Sequence, residues 1–250
     1  MLLVGDVHGN YTKVKAFLDY KPNEPHGFIG DYFDSFIATV EQQIETFKLI
    51  VNSDSLILTG NHDLQYFKTA DYRVKCSGFT NNMNIVDCVE EHKHLFKAAI
   101  CIDDHVITHG GVHPNLFGKK QKGMSKHEIV SKINEDFELY KTHSIDGIRK
   151  FFDNYETCIF NIGSCRGGWN QFGGPFWLDY RYEKLDRNFN QVIGHTKHKD
   201  NIKKIKNGSH SNVIAIDTVK YECYNTSTGE VEDFFPSSLE NIRDSLEICY

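Results

Sequence analysis

The sequence predicts an α/β domain whose short strands deliver polar residues to one end. Its first 60 residues alternate β-α-β-α-β, as apolar runs and helical spacings succeed one another. Each of those strands stops at a glycine followed by polar side chains: Gly5-Asp6-Val7-His8-Gly9, Gly30-Asp31-Tyr32-Phe33-Asp34 and Gly60-Asn61-His62-Asp63. Two later turns, His109-Gly110-Gly111 and Gly194-His195-Thr196, repeat the pattern after further apolar runs. In open α/β sheets ligands sit beyond the carboxyl ends of the strands, so a shared site is expected where these turns meet.

The elements follow in order. Met1-Leu2-Leu3-Val4 reads as a buried strand, and Asn10 as the N-cap of a helix with Val14, Phe17 and Leu18 on one face. Pro22 and Pro25 end that helix, and 26–30 form the second strand. Val40, Ile44, Phe47 and Ile50 recur at helical spacing within 38–52, and Ser55 to Thr59 is the third strand. Asn81-Asn82 is turn-like, and Asn84 is expected to cap a helix reaching about Phe96. Two strands between Ala98 and Thr108 turn around Asp103-Asp104. Ser125-x-x-Glu128 is a capping box, opening a helix with Ile129, Ile133, Phe137 and Tyr140 on one side. Another helix is expected over 145–155. The stretch 161–187 is rich in glycine yet holds Trp169 and Trp177, which favours an ordered loop. After residue 190 the pattern is mostly β, with turns at Asn207-Gly208 and Thr228-Gly229 and a last helix over 238–249. No linker or repeat interrupts the chain, which reads as one domain over 1–250.

Composition narrows the function. A chain of 250 residues with 40% hydrophobic and 25% charged residues is long enough to bury a sizeable core. The formal net charge of -6 and the lack of a basic stripe argue against a protein that coats nucleic acid or an anionic membrane. No apolar run approaches the roughly 20 residues that span a bilayer. The N-terminus enters the first motif at once, so no signal peptide is expected. The 7 cysteines are scattered without a C-x-x-C pair, as expected of reduced thiols in a cytoplasmic protein.

The residue types at the five turns suit phosphate-ester hydrolysis. That reaction needs an activated water, charge neutralisation on the phosphoryl oxygens and a proton for the leaving oxygen. Two metals roughly 3.5–4 Å apart supply the first two. Asp31, between the other motifs, is the natural carboxylate bridge. Asp6 and His8, two positions apart, would converge on one metal if the chain stays extended there. Asn61, His109 and His195 would complete the other metal's protein ligands. Such a mixture of carboxylate, amide and imidazole suits Mn, Fe or Zn, with Mn expected, better than Ca or Mg. His62, next to Asn61, points elsewhere and is the candidate general acid. Asp34 would accept its other ring N–H and favour the charged form. Single histidines are more often structural, and His92, His94, His143 and His210 read so. His113, before Pro114, lies at most behind a ligand. Asp103 and Asp104 read as a turn.

These blocks resemble the calcineurin-like metallophosphoesterase superfamily, and within it the phosphoprotein phosphatase branch and its small phage and bacterial members. The family pattern runs G-D-x-H-G, G-D-x-x-D-R-G, G-N-H-D/E, H-G-G or H-A, then a late G-H. All five blocks occur in order between Gly5 and Thr196, while 64–96 and 115–160 lie outside the resemblance in any detail. The resemblance implies a four-layer fold, a central β-sandwich flanked by helices with metals at the strand ends. It also implies the ligand roles given above and the Asp34–His62 pair. Two departures stand out. Ser35 occupies the position of the family's phosphate-gripping Arg, which leaves Arg166 or Arg181 as replacements. In many wider relatives a second His follows the late one at i+2; here that residue is Lys197, and His198 at i+3 faces away. This matches the protein-phosphatase branch rather than nucleases or phosphodiesterases.

The leading expectation is therefore a binuclear phosphomonoesterase acting on phosphoprotein or a small phosphate ester, cytoplasmic and monomeric. Hydrolysis of dinucleoside polyphosphates is the alternative, with Trp169 and Trp177 either stacking on a base or buried in the core. A non-catalytic scaffold on the same fold is a third reading, disfavoured because such relatives lose the His that stands here as His62.

Overall fold

In the N-terminal strand β1 (Leu2–Val4), Leu2 and Val4 face one hydrophobic layer and Leu3 faces another. That period-2 alternation is what a strand with two buried faces requires. The protein is described by a computed structural model over residues 1–70, 72–74, 76–79, 82–142 and 158–236. The helices expected over 145–155 and 238–249, together with Asn81, His143 and Cys249, lie outside those residues.

Asn10 caps α1 (Tyr11–Asp19) as expected, its side chain accepting from Lys13 N–H at 3.0 Å. Next come β2 (His26–Phe28), α2 (Val40–Val51), β3 (Leu56–Leu58) and the single turn α3 (Asn61–Leu64). A capping box between Thr39 and Gln42 opens α2. The next helix corrects an expectation. α4 (Met83–His92) is capped by Asn82, whose side chain accepts from Asn84 N–H at 2.9 Å, so Asn84 is inside the helix rather than its cap. It also ends four residues short of Phe96, which instead opens β4 (Phe96–Lys97) and pairs with Ile57. Pairing at a sheet edge overrides helical spacing there. β5 (Ala99–Ile102) and β6 (His105–Thr108) form the expected hairpin around Asp103-Asp104. The Ser125–Glu128 box caps α5 (Lys126–Thr142).

The C-terminal strands are β7 (Asn190–Ile193), β8 (Lys203–Lys206), β9 (Asn212–Ala215), β10 (Glu222–Asn225) and β11 (Glu230–Asp233). The last of these is not evident in the sequence, because Glu230, Glu232 and Asp233 make it polar and only half-buried. It forms an edge, a position that charged side chains suit.

Two sheets result, ordered β11-β10-β1-β2-β3-β4 and β5-β6-β7-β9-β8. Strands β1 to β4 run parallel, as do β6, β7 and β9. Leu3, Ile29, Leu58, Ile107, Val192, Ile214 and Ile216 fill the space between the sheets. On the outer face of the first sheet, Leu2, Val4, Phe28 and Ile57 meet Phe17 of α1, Phe47 of α2 and Val89 of α4. α5 packs against β5 of the second sheet, whose outer face also receives Leu178 and Leu185. The architecture is thus the expected pair of sheets flanked by helices. Parallel strands bring their carboxyl ends to one side, so the turns after β1, β2, β3, β6 and β7 open together.

Candidate active site

Backbone contacts tie the five turns into one floor. Val7 and His8 N–H both donate to Asp31 C=O, at 3.1 and 2.7 Å, and Gly9 N–H donates to Tyr32 C=O at 3.0 Å. Gly194 N–H donates to His109 C=O at 2.7 Å, and His195 N–H to the Asp6 carboxylate at 3.1 Å. The second and third turns touch most closely. A Cβ on Gly60 would sit 2.1 Å from Asp31 Oδ1, and one on Gly30 would sit 2.4 Å from Gly60 N, so only glycine fits either place. Four of the residues that form the floor have left-handed backbones: His8 (φ 43°), Asp31 (54°), Asp34 (62°) and His195 (61°). Such conformations are uncommon for non-glycine residues and gather where surrounding structure imposes them.

This geometry corrects the reason given for Asp6 and His8. β1 ends at Val4 and His8 is in a turn, so the two do not converge as alternate residues of an extended strand. The turn itself brings them together: ligand atoms of Asp6, His8 and Asp31 lie within 4.8 Å of one another. Asp31, His109 and His195 form a second such group, and Asp31 belongs to both. Asn61 Oδ1 is 3.0 Å from His109 Nε2, which is 3.3 Å from Asp31 Oδ2.

The imidazole tautomers follow from their carbonyl partners. His8 Nδ1 donates to Phe33 C=O and His109 Nδ1 to Ile29 C=O, each at 2.8 Å, so Nε2 of each faces the cluster. His195 Nε2 is buried without a hydrogen-bond partner, and burial, with His109 and Arg166 nearby, holds His195 well below the usual imidazole range. Burial would raise the Asp31 carboxyl, but His109 and His62 hold it well below the usual carboxylate range. Lone pairs of Asp31, Asn61, His109 and His195 therefore face one another, and a proton or a cation has to sit among them. Burial lowers His109, but Asp31 and Asp6 outweigh it and raise it to about 9, the sign of a pocket that attracts positive charge. The donor set fits two divalent cations sharing Asp31.

His62 stands at the rim, outside the two groups that share Asp31; with Asp34 and Cys76 it makes a third set whose potential ligand atoms lie within 4.8 Å of one another. Its Nδ1 is 2.8 Å from Asp34 Oδ2, and its side chain is 23% exposed against 1% for Asp34. Gln65 Nε2 and Tyr66 O–H also donate to Asp34, which anchors that carboxylate. Burial lowers the His62 imidazolium, but Asp31 and the Asp34 hydrogen bond push it up to about 12.

The two arginines separate. Arg166 lines the cavity with His195, held by Asp179 (Nε to Oδ2, 3.1 Å) and by Thr196 Oγ1 at 3.1 Å. Arg181 makes two side-chain bonds to Asp179, at 3.0 and 2.8 Å, and is not among the cavity's lining residues. Trp177 is largely buried and lines the cavity, its ring edge-on to His195 at 6.0 Å, whereas Trp169 is fully exposed and is not among the lining residues. His92 bonds Cys88 C=O, His113 stacks on Phe172 at 4.0 Å, His198 bonds Ala215 C=O, and His94 and His210 are exposed.

Several contributors were not singled out from the sequence. Asp63 accepts N–H bonds from Asp31, Tyr32 and Gly60 at 2.8–2.9 Å and locks the second turn to the third. Its place in the third block was the available signal. Cys76 accepts from Asn61 Nδ2 at 3.4 Å, and Asp217 and Lys13 line the cavity beside Asp6. Nothing in their local sequence marks these three, because the fold brings them from distant elements. Among the described residues no cysteines are paired, and no helix is long and apolar enough to cross a membrane.

The family described as calcineurin-like phosphoesterase matches residues 1–200. Among solved structures, a cold-active protein-tyrosine phosphatase of a psychrophile, Shewanella sp., aligns with a TM-score of 0.58 at 14% identity, covering 94% of this chain and 80% of that one. A mutant cold-active protein tyrosine phosphatase aligns at 0.56 and 16% identity, covering 86% and 70%. A metallophosphoesterase from Sphaerobacter thermophilus aligns at 0.42 and 15% identity, covering 92% and 85%. No curated protein matches the sequence. At such identities the two phosphatases are evidence for a shared fold.

Proposed function

The chain belongs to the calcineurin-like phosphoesterase family, and on that premise we propose that it is a binuclear phosphomonoesterase in which His62 protonates the leaving oxygen. The observation that carries this reading is Asp31, common to both ligand groups, with the Asp34–His62 pair at the rim of the same cavity. Asp6, His8 and Asp31 would hold one divalent cation, and Asp31, Asn61, His109 and His195 the other. Manganese is the proposed metal, with iron or zinc also compatible with these ligands. When bound, such a pair neutralises phosphoryl charge and lowers the pKa of a water.

The chain's own residues do the rest. Arg166, oriented by Asp179, faces the non-bridging oxygens and takes the part left open by Ser35. The water oxygen bonds to phosphorus as the ester P–O bond breaks. The departing electron pair stays on the leaving oxygen, and His62 gives that oxygen its proton. Asp34 holds the ring by Nδ1, so Nε2 is the atom that donates. The products are an alcohol or phenol and inorganic phosphate. Phosphoserine, phosphothreonine and phosphotyrosine proteins, or small phosphate esters, are the proposed substrates of a single-domain monomer in the cytoplasm.

The nucleotide alternative gains little from the tryptophans: Trp177 lines the cavity but is only 8% exposed, its ring edge-on to His195, and Trp169 is not among the lining residues. Manganese-loaded protein assayed side by side on a phosphopeptide, a dinucleoside tetraphosphate and a cyclic nucleotide tests the assignment. Phosphopeptide turnover well above the other two is expected. Preferential cleavage of the tetraphosphate would replace this reading.

A further inference from the structure

The geometry points to an aryl-binding subsite, formed by Phe36, Ile37 and Phe79 beside His62, that makes phosphotyrosine-type esters the favoured substrates. This inference rests on the phosphomonoesterase reading above, and specifically on His62 marking the side from which the leaving group departs.

Phe36 and Ile37 are 90% and 96% exposed, yet both line the cavity that holds Asp31, Asn61 and His62. Large apolar side chains left this open at a polar site form an exposed apolar patch beside the reacting groups. They are also held in position. Ser35 Oγ accepts from Ile37 N–H at 3.2 Å and Ala38 N–H at 3.0 Å, and Gln43 Oε1 accepts from Ser35 N–H at 3.2 Å. Where the family pattern reads Arg-Gly after the second aspartate, this chain has Ser35-Phe36. A phosphate-gripping residue and a glycine have thus become a turn former and an exposed ring.

The rings form a continuous path from the proton donor. Phe79 meets His62 edge-on at 5.5 Å, and Phe36 tilts against Phe79 at 4.9 Å. Tyr11 and Trp177 also line the cavity, among polar residues such as Gln42, Glu45, Lys197 and Asp217, but Phe36 is the exposed phenyl ring of the wall that is joined through Phe79 to His62. Proton transfer requires the leaving oxygen within hydrogen-bond reach of His62, so its substituent must extend past that ring. A phenolic ring attached there would meet Phe79 and Phe36 edge-on or offset, the arrangements aromatic pairs prefer. Serine offers one methylene, which brings polar peptide backbone to this apolar wall. Atoms balance as in any ester hydrolysis: water oxygen joins phosphorus, the aryl P–O bond breaks, the phenolate oxygen takes the proton of His62, and the proton the water gives up passes to solvent, from which His62 is reprotonated.

The test uses two peptides of one sequence, carrying phosphotyrosine or phosphoserine, on the manganese-loaded full chain. Wild type is expected to favour phosphotyrosine in kcat/KM. Phe36→Ser should lower the tyrosine-to-serine ratio by roughly fivefold to tenfold, the worth of an aromatic pair plus its buried area. Because Phe36 is exposed, that variant should fold, and circular dichroism checks this. Binding is read independently by calorimetry with phenylphosphonate and methylphosphonate, neither of which is hydrolysed. Wild type should prefer phenylphosphonate, and Phe36→Ser should lose most of that preference. Hydrolysis of neither peptide with the phenyl preference intact would defeat the phosphatase reading and leave the subsite standing. An unchanged ratio in Phe36→Ser, a wild-type preference for phosphoserine, or no phenyl preference in binding would overturn the subsite.

Discussion

At the scale of single residues, His62 carries the most informative prediction. It bonds Asp34 and stands outside the two ligand groups that share Asp31, so His62→Asn should retain the two metals and the fold. Its kcat on a phosphoserine peptide should fall about 10²–10⁴-fold, the usual worth of general acid catalysis. The loss on p-nitrophenyl phosphate should be much smaller, because that phenolate leaves without help. Elemental analysis of the variant separates this outcome from loss of metal. Asp34→Asn removes the carboxylate that accepts from Nδ1 and so lowers the imidazolium pKa of His62. Activity that needs protonated His62 should then fail at a lower pH than in wild type, seen as an acidward shift of the alkaline limb of kcat/KM. Cations on Asp31 offset part of what pushes His62 up, which leaves the Asp34 bond as the larger lever in the loaded enzyme. For the arginines, Arg166→Ala should raise KM or lower kcat roughly tenfold, as for a lost charge-assisted contact. Arg181→Ala should change either by much less, since Arg181 answers Asp179 and faces away from the cavity. Equal effects from both would mean that Asp179 sets the loop and neither arginine touches phosphate.

At the scale of elements, the close approach of the second and third turns is the feature least tolerant of change. Gly60→Ala puts a methyl 2.3 Å from Asp31 N and closer still to Asp31 Oδ1. Overpacking of that kind costs about 1–3 kcal/mol, and here it also displaces the shared carboxylate. A lower urea midpoint with unchanged slope, together with metal content well below wild type, is expected. Ser125→Ala affects a helix end remote from the site, where Ser125 and Glu128 cap α5. It should cost about 1 kcal/mol by the same urea titration and leave metal content alone. If Ser125→Ala loses metal as Gly60→Ala does, general destabilisation rather than the Gly60–Asp31 contact explains both.

At the scale of the whole molecule, the site is a junction between two sheets. Asp6, Asp31 and Asn61 come from the first, His109 and His195 from the second. Cations held by both should clamp them together. At a hundredfold excess over Kd, each bound ion adds about 2.7 kcal/mol of stability. For a domain this size that predicts a rise in Tm of roughly 5–10 °C per ion on adding manganese. Asp31→Asn should abolish most of the rise, because both ions depend on that carboxylate. Asn61→Ala should remove a smaller part. A manganese-independent Tm in wild type would rule out the clamp.

The α/β class and the five turns are legible in the amino-acid order alone, because those features are local. A buried strand needs consecutive apolar residues, and a strand end that meets a ligand shows its glycine and its polar side chains in order. Asn10 as a cap, the Ser125–Glu128 box and the hairpin at Asp103-Asp104 were legible for the same reason. What distant residues do together depends on the packed chain. Helical spacing carried the expected helix on to Phe96, and strand pairing with Ile57 ended it sooner. Asp6 and His8 face one ligand group through a left-handed turn held by Asp31 C=O, which alternation along a strand does not describe. Arg166 and Arg181 look alike in the sequence, and Asp179 sorts them by holding one at the cavity and the other outside it. Folding leaves Phe36 and Ile37 exposed on the cavity wall that also holds His62, a placement their apolar character alone does not foretell. Burial and adjacency are properties of the packed chain, so charge balance, cation sites and substrate contacts become visible only there.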